Sequence, residues 1–225
     1  MDESTTTLTR RGAPERAPAR RRGRPRKLSR DAIITAALAL LDREGAEALT
    51  MRRLGAELGV EAMSLYRHIA SRAELLDGIA ALLAAEIEPQ ERPADWADAL
   101  RAFAGEIRAL ARRHPAAFTL VGIRVLGGPS ALAPLEDVLA NLRGGGFTPA
   151  RAIAAYRLVI AYARGYALSE IAGFAVDMGA SDGQPVIRSL SRRLASEPTE
   201  VGFRAGLETI IGGLRIERTA GAPSQ

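Results

Sequence analysis

LTMRRLGAELGVEAMSLYRHIASRAELLDGIA, residues Leu49 to Ala80, is the stretch that decides the fold. Thr50 suits an N-cap, because its hydroxyl accepts a backbone N–H that the first helical turn leaves unpaired. Leu54 and Leu58 then share one face of a short helix. Gly59 ends it, since a residue without Cβ takes the left-handed turn that closes many helices. Val60 and Glu61 lead into a second short helix, predicted from Ala62 to Ile69, and small Ala56 is expected to let the two helices approach. Leu54, Leu58, Val60 and Leu65 would form the core between them. Two short helices crossing steeply at a glycine turn make a helix-turn-helix, whose second helix fits a major groove. A plain helical corner has the same geometry. The outer face favours the first reading. Ala62, Met63 and Ser64 open the second helix, where base edges are met. Tyr66, Arg67, His68 and Arg72 can donate to phosphates, which set register rather than read sequence. At the start of the first short helix Met51 is a further candidate DNA contact, and Arg52 has the reach for a bidentate pair with guanine.

Working outward, Ser29 caps a helix marked by Ile33, Ala37, Leu40 and Leu41 and ended by Gly45. Ser71 caps another that runs to about Glu88, with a break at Pro89 and Pro93. Residues 1–30 hold ten Lys or Arg against three acids, a net +7, whereas the remainder has 21 basic and 23 acidic residues, a net −2. A basic arm on a near-neutral body points to an acidic partner, although a solvated tail would look the same. Within it Arg20 to Lys27, RRRGRPRK, suits a narrow A·T-rich minor groove, which makes Arg22, Arg24, Arg26 and Lys27 candidate DNA contacts.

Hydrophobic residues make up 47% of the 225, which excludes a disordered chain, and aromatics only 4% amid abundant Ala and Leu, which favours helix. No segment alternates as a strand does, so the expected class is all-α. There is no Cys, hence no disulfide or thiolate chemistry. Apolar runs such as Ile79 to Ile87 are too short for a bilayer, and no signal-like segment follows the N-terminus; a cytoplasmic protein with no membrane partner is expected. Only His68 and His114 exist, so no metal site of the His or Cys kind can be assembled. Gly144 to Gly146 end a helix rather than cradle a phosphate. An enzyme and a cofactor are therefore not expected. An architectural DNA binder relying on the arm is a second competitor, but the large helical body would have no role in it.

The segment from Leu49 to Ala80 resembles the DNA-binding domain of the tetracycline-repressor family, in which a Leu-Thr-x-Arg-x-Leu-Ala-like helix precedes Leu-Gly-Val and a Ser-or-Thr-Leu-Tyr-x-His run. The likeness is strong over residues 29–88 and weaker beyond, where FRAGLETIIGGLR resembles the family's last dimerisation helix. It implies a basic arm at 1–28, a DNA-binding domain at 29–75 and a helical ligand-binding and dimerisation domain at 76–225. It also implies a repressor that grips a palindromic operator as a homodimer and leaves it when a small organic effector binds. By the same resemblance Thr50 and Arg52 approach DNA from the first short helix, Ala62, Met63, Ser64 and Tyr66 from the second, and Arg72 reaches a phosphate. Ala62 stands where the tetracycline repressor has a glutamine, so the operator should differ, with apolar contact from Ala62 and Met63 to a thymine methyl.

The body continues the helical pattern. Leu100, Phe103, Ala104, Ile107, Leu110 and Ala111 share one face, Pro115 opens a segment to about Leu126, and a turn at Gly127 to Pro129 follows. Leu132, Leu135, Val138, Leu139 and Leu142 mark the next helix. Thr148 and Pro149 start a long one that is apolar nearly all round, residues 173–185 read as a loop, and a last helix runs from about Thr199 to Ile216. The long and last helices are expected to pair across a two-fold axis, the alternative being burial in one monomeric core. Phe103, Ile107, Phe118, Arg124, Leu139, Tyr156 and Tyr162 are the candidate ligand contacts, though each apolar one also fits a plain core. Arg124, in VGIRV, resembles a Gly-Thr-Arg segment of the family's drug site, but a surface salt bridge suits it equally. Leu120 replaces the histidine that helps hold the metal–drug chelate there, so a chelated ligand is not expected.

Overall fold

Small hydroxyl side chains set where the helices begin. The computed structural model describes residues 28–87, 95–124, 129–173, 184–194 and 200–220. The arm residues Arg22, Arg24, Arg26 and Lys27 and the break at Pro89 and Pro93 lie outside them. Ser29 Oγ accepts from the Ala32 amide at 3.2 Å and opens α1 (Arg30–Glu44). Thr50 Oγ1 accepts from the Arg53 amide at 3.1 Å and opens α2 (Met51–Leu58). After α3 (Ala62–Leu65), Ser71 Oγ accepts from the Glu74 amide at 3.1 Å at the head of α4 (Arg72–Ala85). The body comprises α5 (Trp96–Arg113), α6 (Pro115–Val121), α7 (Pro129–Gly144), α8 (Pro149–Ala172), α9 (Pro185–Leu194) and α10 (Glu200–Ala220). Thr148 caps α8, its Oγ1 accepting from the Arg151 amide at 3.4 Å. The described residues are helical throughout with no strand, as an all-α chain should be.

Several boundaries depart from the sequence reading. α3 stops at Leu65 instead of Ile69, because the next amides bend back: His68 and Ile69 both donate to the Leu65 carbonyl, at 2.9 and 3.0 Å. The chain must turn there to bury Ile69, and the Ala70 amide is taken by the Glu74 carboxylate at 2.8 Å. α4 ends at Ala85 rather than near Glu88. α9 is absent from the sequence reading, which takes 173–185 as a loop and places no helix between it and Thr199; its Val186, Ile187 and Leu190 are exposed. On α7 the inward position belongs to Pro134, while Leu132 is 55% exposed.

The buried residues form one continuous core from Ile33 on α1 to Leu214 on α10. α5 and α8 are its centre, and α4 packs on α1 on one side and on α6 and α7 on the other. At the α1–α4 crossing a Cβ on Gly78 would overlap the Ile34 side chain, so glycine sets that spacing. At the far end a charged knot ties three helices. Arg108, only 4% exposed, donates to Glu170 on α8 at 2.7 and 2.9 Å and also bonds Glu200 at the head of α10. Its guanidinium lies 4.9 Å from the Phe203 ring centre, and Arg112 adds a bond to Glu170 at 2.6 Å. A buried cation needs such compensation. The Arg108 hydrogen bonds hold the Glu170 carboxyl below the usual carboxylate range.

Candidate nucleic-acid interface and ligand cavity

The helix-turn-helix rests on a glycine, but not where small size was expected. Ala56 is exposed, whereas Gly55 is buried, and a Cβ on it would sit 2.8 Å from the Val60 carbonyl oxygen and 3.2 Å from the Ala62 nitrogen. Gly55, rather than Ala56, is thus the point of closest approach between α2 and α3. Gly59 carries the turn at φ 69°, a left-handed conformation that side chains resist. Leu54 and Leu65 are fully buried, with Leu58 and Val60 packed at their edge.

Adjacent arginines on α2 point in different directions. Arg53 is held against α1, donating to Glu44 at 2.5 and 3.0 Å and pairing with Glu57 at 3.1 Å. The Arg53 hydrogen bond is the main reason the Glu44 carboxyl titrates below its ordinary range. Arg52 is exposed, and no acid among the described residues pairs with it or with Arg72. Thr50, Tyr66, Arg67 and His68 are exposed on the same unit, and Met63 is 72% exposed at the start of α3. Ala62 and Ser64 are half-buried beside it, with Arg67 reaching Ser64 Oγ at 3.5 Å. Met51, expected among the DNA contacts, is instead half-buried and packs against the core, because its place on α2 turns toward the apolar interior.

Between α4 and the body lies a mostly apolar cavity of about 560 Å³, its open mouth included. Ala80, Leu83 and Ala84 of α4 and Ile87 just beyond it form one wall. Phe103 and Ile107 of α5, Phe118 of α6 and Tyr156 of α8 face them, so four of the seven candidate ligand residues meet here. The Phe103 and Tyr156 rings are 5.9 Å apart. The other three are elsewhere. Arg124 turns outward to α4, donating to Asp77 at 2.8 Å, because an exposed carboxylate one helix away is a better partner than an apolar wall. Tyr162 faces α10 and donates to the Phe203 carbonyl at 2.7 Å, stacked on the Phe203 ring. Leu139 packs at the edge of the core on α7 and is not part of the cavity wall.

The other eleven lining residues are not among those candidates, and one of them is charged. Arg164 of α8 is half-buried in the wall, where loss of water pulls its guanidinium down from the usual arginine value. Burial likewise raises Tyr156. The signal was present in the sequence: Tyr156, Ile160 and Arg164 recur at four-residue spacing, so a charge continues an apolar stripe. Among the described residues no group of three His, Cys, Asp or Glu is placed to hold a metal ion, and Leu120 offers no ligand where the resemblance has a histidine. His114 is engaged elsewhere, 2.8 Å from Asp42 of α1 and 3.2 Å from Glu86 after α4.

A helix-turn-helix with free outward cations, joined through one helix to a helical body with a cavity, defines a DNA-binding regulator rather than an enzyme. Comparison with known proteins agrees. Residues 33–79 match the model for bacterial regulatory proteins of the tetR family, and residues 88–218 match the tetracyclin repressor-like C-terminal domain. The chain belongs to the tetR family of transcriptional regulators. It is 39% identical over 155 residues to the HTH-type transcriptional repressor DrrR1 of Streptomyces coeruleorubidus, an overlap of 67% of this chain and 56% of that one. With the class D tetracycline repressor protein of Escherichia coli the identity is 30% over 203 residues, covering 86% and 92% of the two chains. Apo ActR from Streptomyces coelicolor superposes with a TM-score of 0.73 at 27% identity, covering 87% of this chain and 98% of that one. ActR in complex with actinorhodin gives 0.72 at 28%, covering 84% and 96%. Regulators of this family bind operator DNA and small-molecule effectors.

Proposed function

We propose that the protein is a homodimeric, cytoplasmic repressor that binds a palindromic operator through α3 and is released when an organic effector enters the cavity. The observation that carries this reading is the double role of α4. Its first turn follows directly from the α3 turn, and its last two turns supply a wall of the cavity through Ala80, Leu83 and Ala84, which Ile87 extends just beyond the helix. A ligand that fits only one position of α4 shifts the population toward that position and changes the separation of the two reading heads. The ion pair of Arg124 with Asp77 couples the end of α6 to the same helix. ActR, similar in fold, has been solved with actinorhodin, which supports a small-molecule occupant.

Two recognition helices must lie about one DNA turn apart, ~34–36 Å, which requires a dimer. The outer face of α8 presents Ala154, Leu158, Ala161 and Gly165, all exposed and uncharged at helical spacing. Gly202, Ala205, Thr209, Gly213 and Ile216 make a similar exposed stripe on α10. Small, uncharged faces of this kind suit a four-helix bundle between copies. On the DNA side, Arg52 is assigned to a base edge, Met63 and Ala62 to a thymine methyl, and Thr50, Ser64, Tyr66, Arg67, His68 and Arg72 to the neighbouring sugar-phosphate and base edges. The arm residues Arg22, Arg24, Arg26 and Lys27 are assigned to the adjoining minor groove. Selection of bound duplexes from a random library at near-physiological salt tests the reading. Recovery of a palindrome with half-sites one turn apart is expected; enrichment of A·T-rich DNA alone would reduce the protein to its basic arm.

A further inference from the structure

The cavity holds a charge with no acidic partner among the described residues. In the body Arg101 pairs with Glu208 at 2.6 Å, Arg108 and Arg112 with Glu170, and Arg124 with Asp77. Arg164 has no hydrogen bond or ion pair among the described residues, although it is half-buried. Among the described residues the cavity wall around it contains no Asp or Glu. The Tyr156 hydroxyl, two helical turns away on the same wall, is also without a hydrogen-bond partner among the described residues. A guanidinium set in an apolar wall is costly unless something completes it, and its planar fork matches a carboxylate or an ionised enol or phenol.

We infer that the ligand of this cavity is an aromatic acid whose anionic group pairs with Arg164, its rings lying between Phe103 and the α4 wall and a polar substituent meeting the Tyr156 hydroxyl. The inference rests on the reading of the cavity as the effector site and adds the charge of the effector. Arg164 supplies the specificity, because a neutral analogue leaves the cation desolvated and unpaired. The apolar walls supply size selection but cannot tell an acid from its amide.

Titration calorimetry of the full chain with anthracene-2-carboxylate and with neutral anthracene-2-carboxamide tests this at neutral pH. The acid should bind about tenfold or more tightly, and Arg164→Met should abolish the difference by weakening the acid alone. Equal binding of acid and amide to the unaltered protein overturns the inference while leaving the cavity a ligand site. Failure of both probes at millimolar concentration overturns the cavity reading and the inference together. Thermal unfolding of ligand-free Arg164→Met is a second check that needs no probe. Removing an uncompensated buried charge should leave Tm unchanged or raise it, and a clear fall would show that the guanidinium is already satisfied, which overturns the inference.

Discussion

Arg52 and Arg53 are neighbours with opposite roles, and nothing in their order along the chain separates them. Arg53 braces α2 to α1 through Glu44, whereas Arg52 points outward and pairs with no acid among the described residues. Arg52→Ala should relax specificity at one base pair per half-site at a cost of ~1–3 kcal/mol, read by affinity for single-base operator variants. An equal loss on every sequence would make Arg52 a phosphate contact. Gly55 carries a structural prediction. Its substitution by Ala forces a Cβ against the Val60 carbonyl, a backbone atom that cannot swing aside, so Gly55→Ala should cost about 1–3 kcal/mol in thermal unfolding and weaken operator binding more than it lowers Tm. Ala56→Ser on the exposed neighbouring position should do neither.

At the scale of elements, α5, α8 and α10 are tied by Arg108, Glu170 and Glu200, residues far apart in sequence. The Glu170 carboxyl is held below its ordinary 4.5, chiefly by hydrogen bonds from Arg108. A carboxylate with a lowered folded pKa contributes stability that is complete above its unfolded value and disappears as pH falls through the folded one. Glu170→Gln should therefore lower Tm at neutral pH, and the gap to the unaltered protein should close as the pH drops below about 4. A gap that persists in acid would assign the effect to packing. The helices themselves were legible wherever a cap preceded an apolar stripe: Ser29, Thr50, Ser71 and Thr148 all accept the amide expected of them. α9 was not read, although Val186, Ile187, Leu190 and Leu194 recur at helical spacing, because the segment is short and follows a stretch rich in Gly, Asp and Pro that reads as loop.

For the whole molecule, dimerisation and DNA binding should stand or fall together. Leu158→Glu places a charge in the uncharged outer stripe of α8 without touching the core, so it should yield a monomer by light scattering that binds operator at least tenfold more weakly. A dimer of unchanged affinity would move the interface elsewhere. Deleting residues 1–27, the most basic part of the chain, should weaken binding and flatten the dependence of log affinity on log salt, as fewer counterions are released. An unchanged slope would leave the arm without a part in binding.

The chain order alone determined the helical class, the helix-turn-helix and the family, because caps, apolar spacing and the Leu-Tyr-x-His run are local properties that survive without tertiary contacts. Four cavity residues, Phe103, Ile107, Phe118 and Tyr156, were also legible, as inward aromatic and aliphatic positions on helices that had to pack. Only the tertiary structure decided which polar groups would find partners. Arg124 and Arg164 are both arginines in apolar surroundings of sequence, yet one swings to Asp77 of a neighbouring helix and the other pairs with no acid among the described residues. Pairing of that kind depends on which faces meet across the core, and long-range contacts, rather than local period, set it.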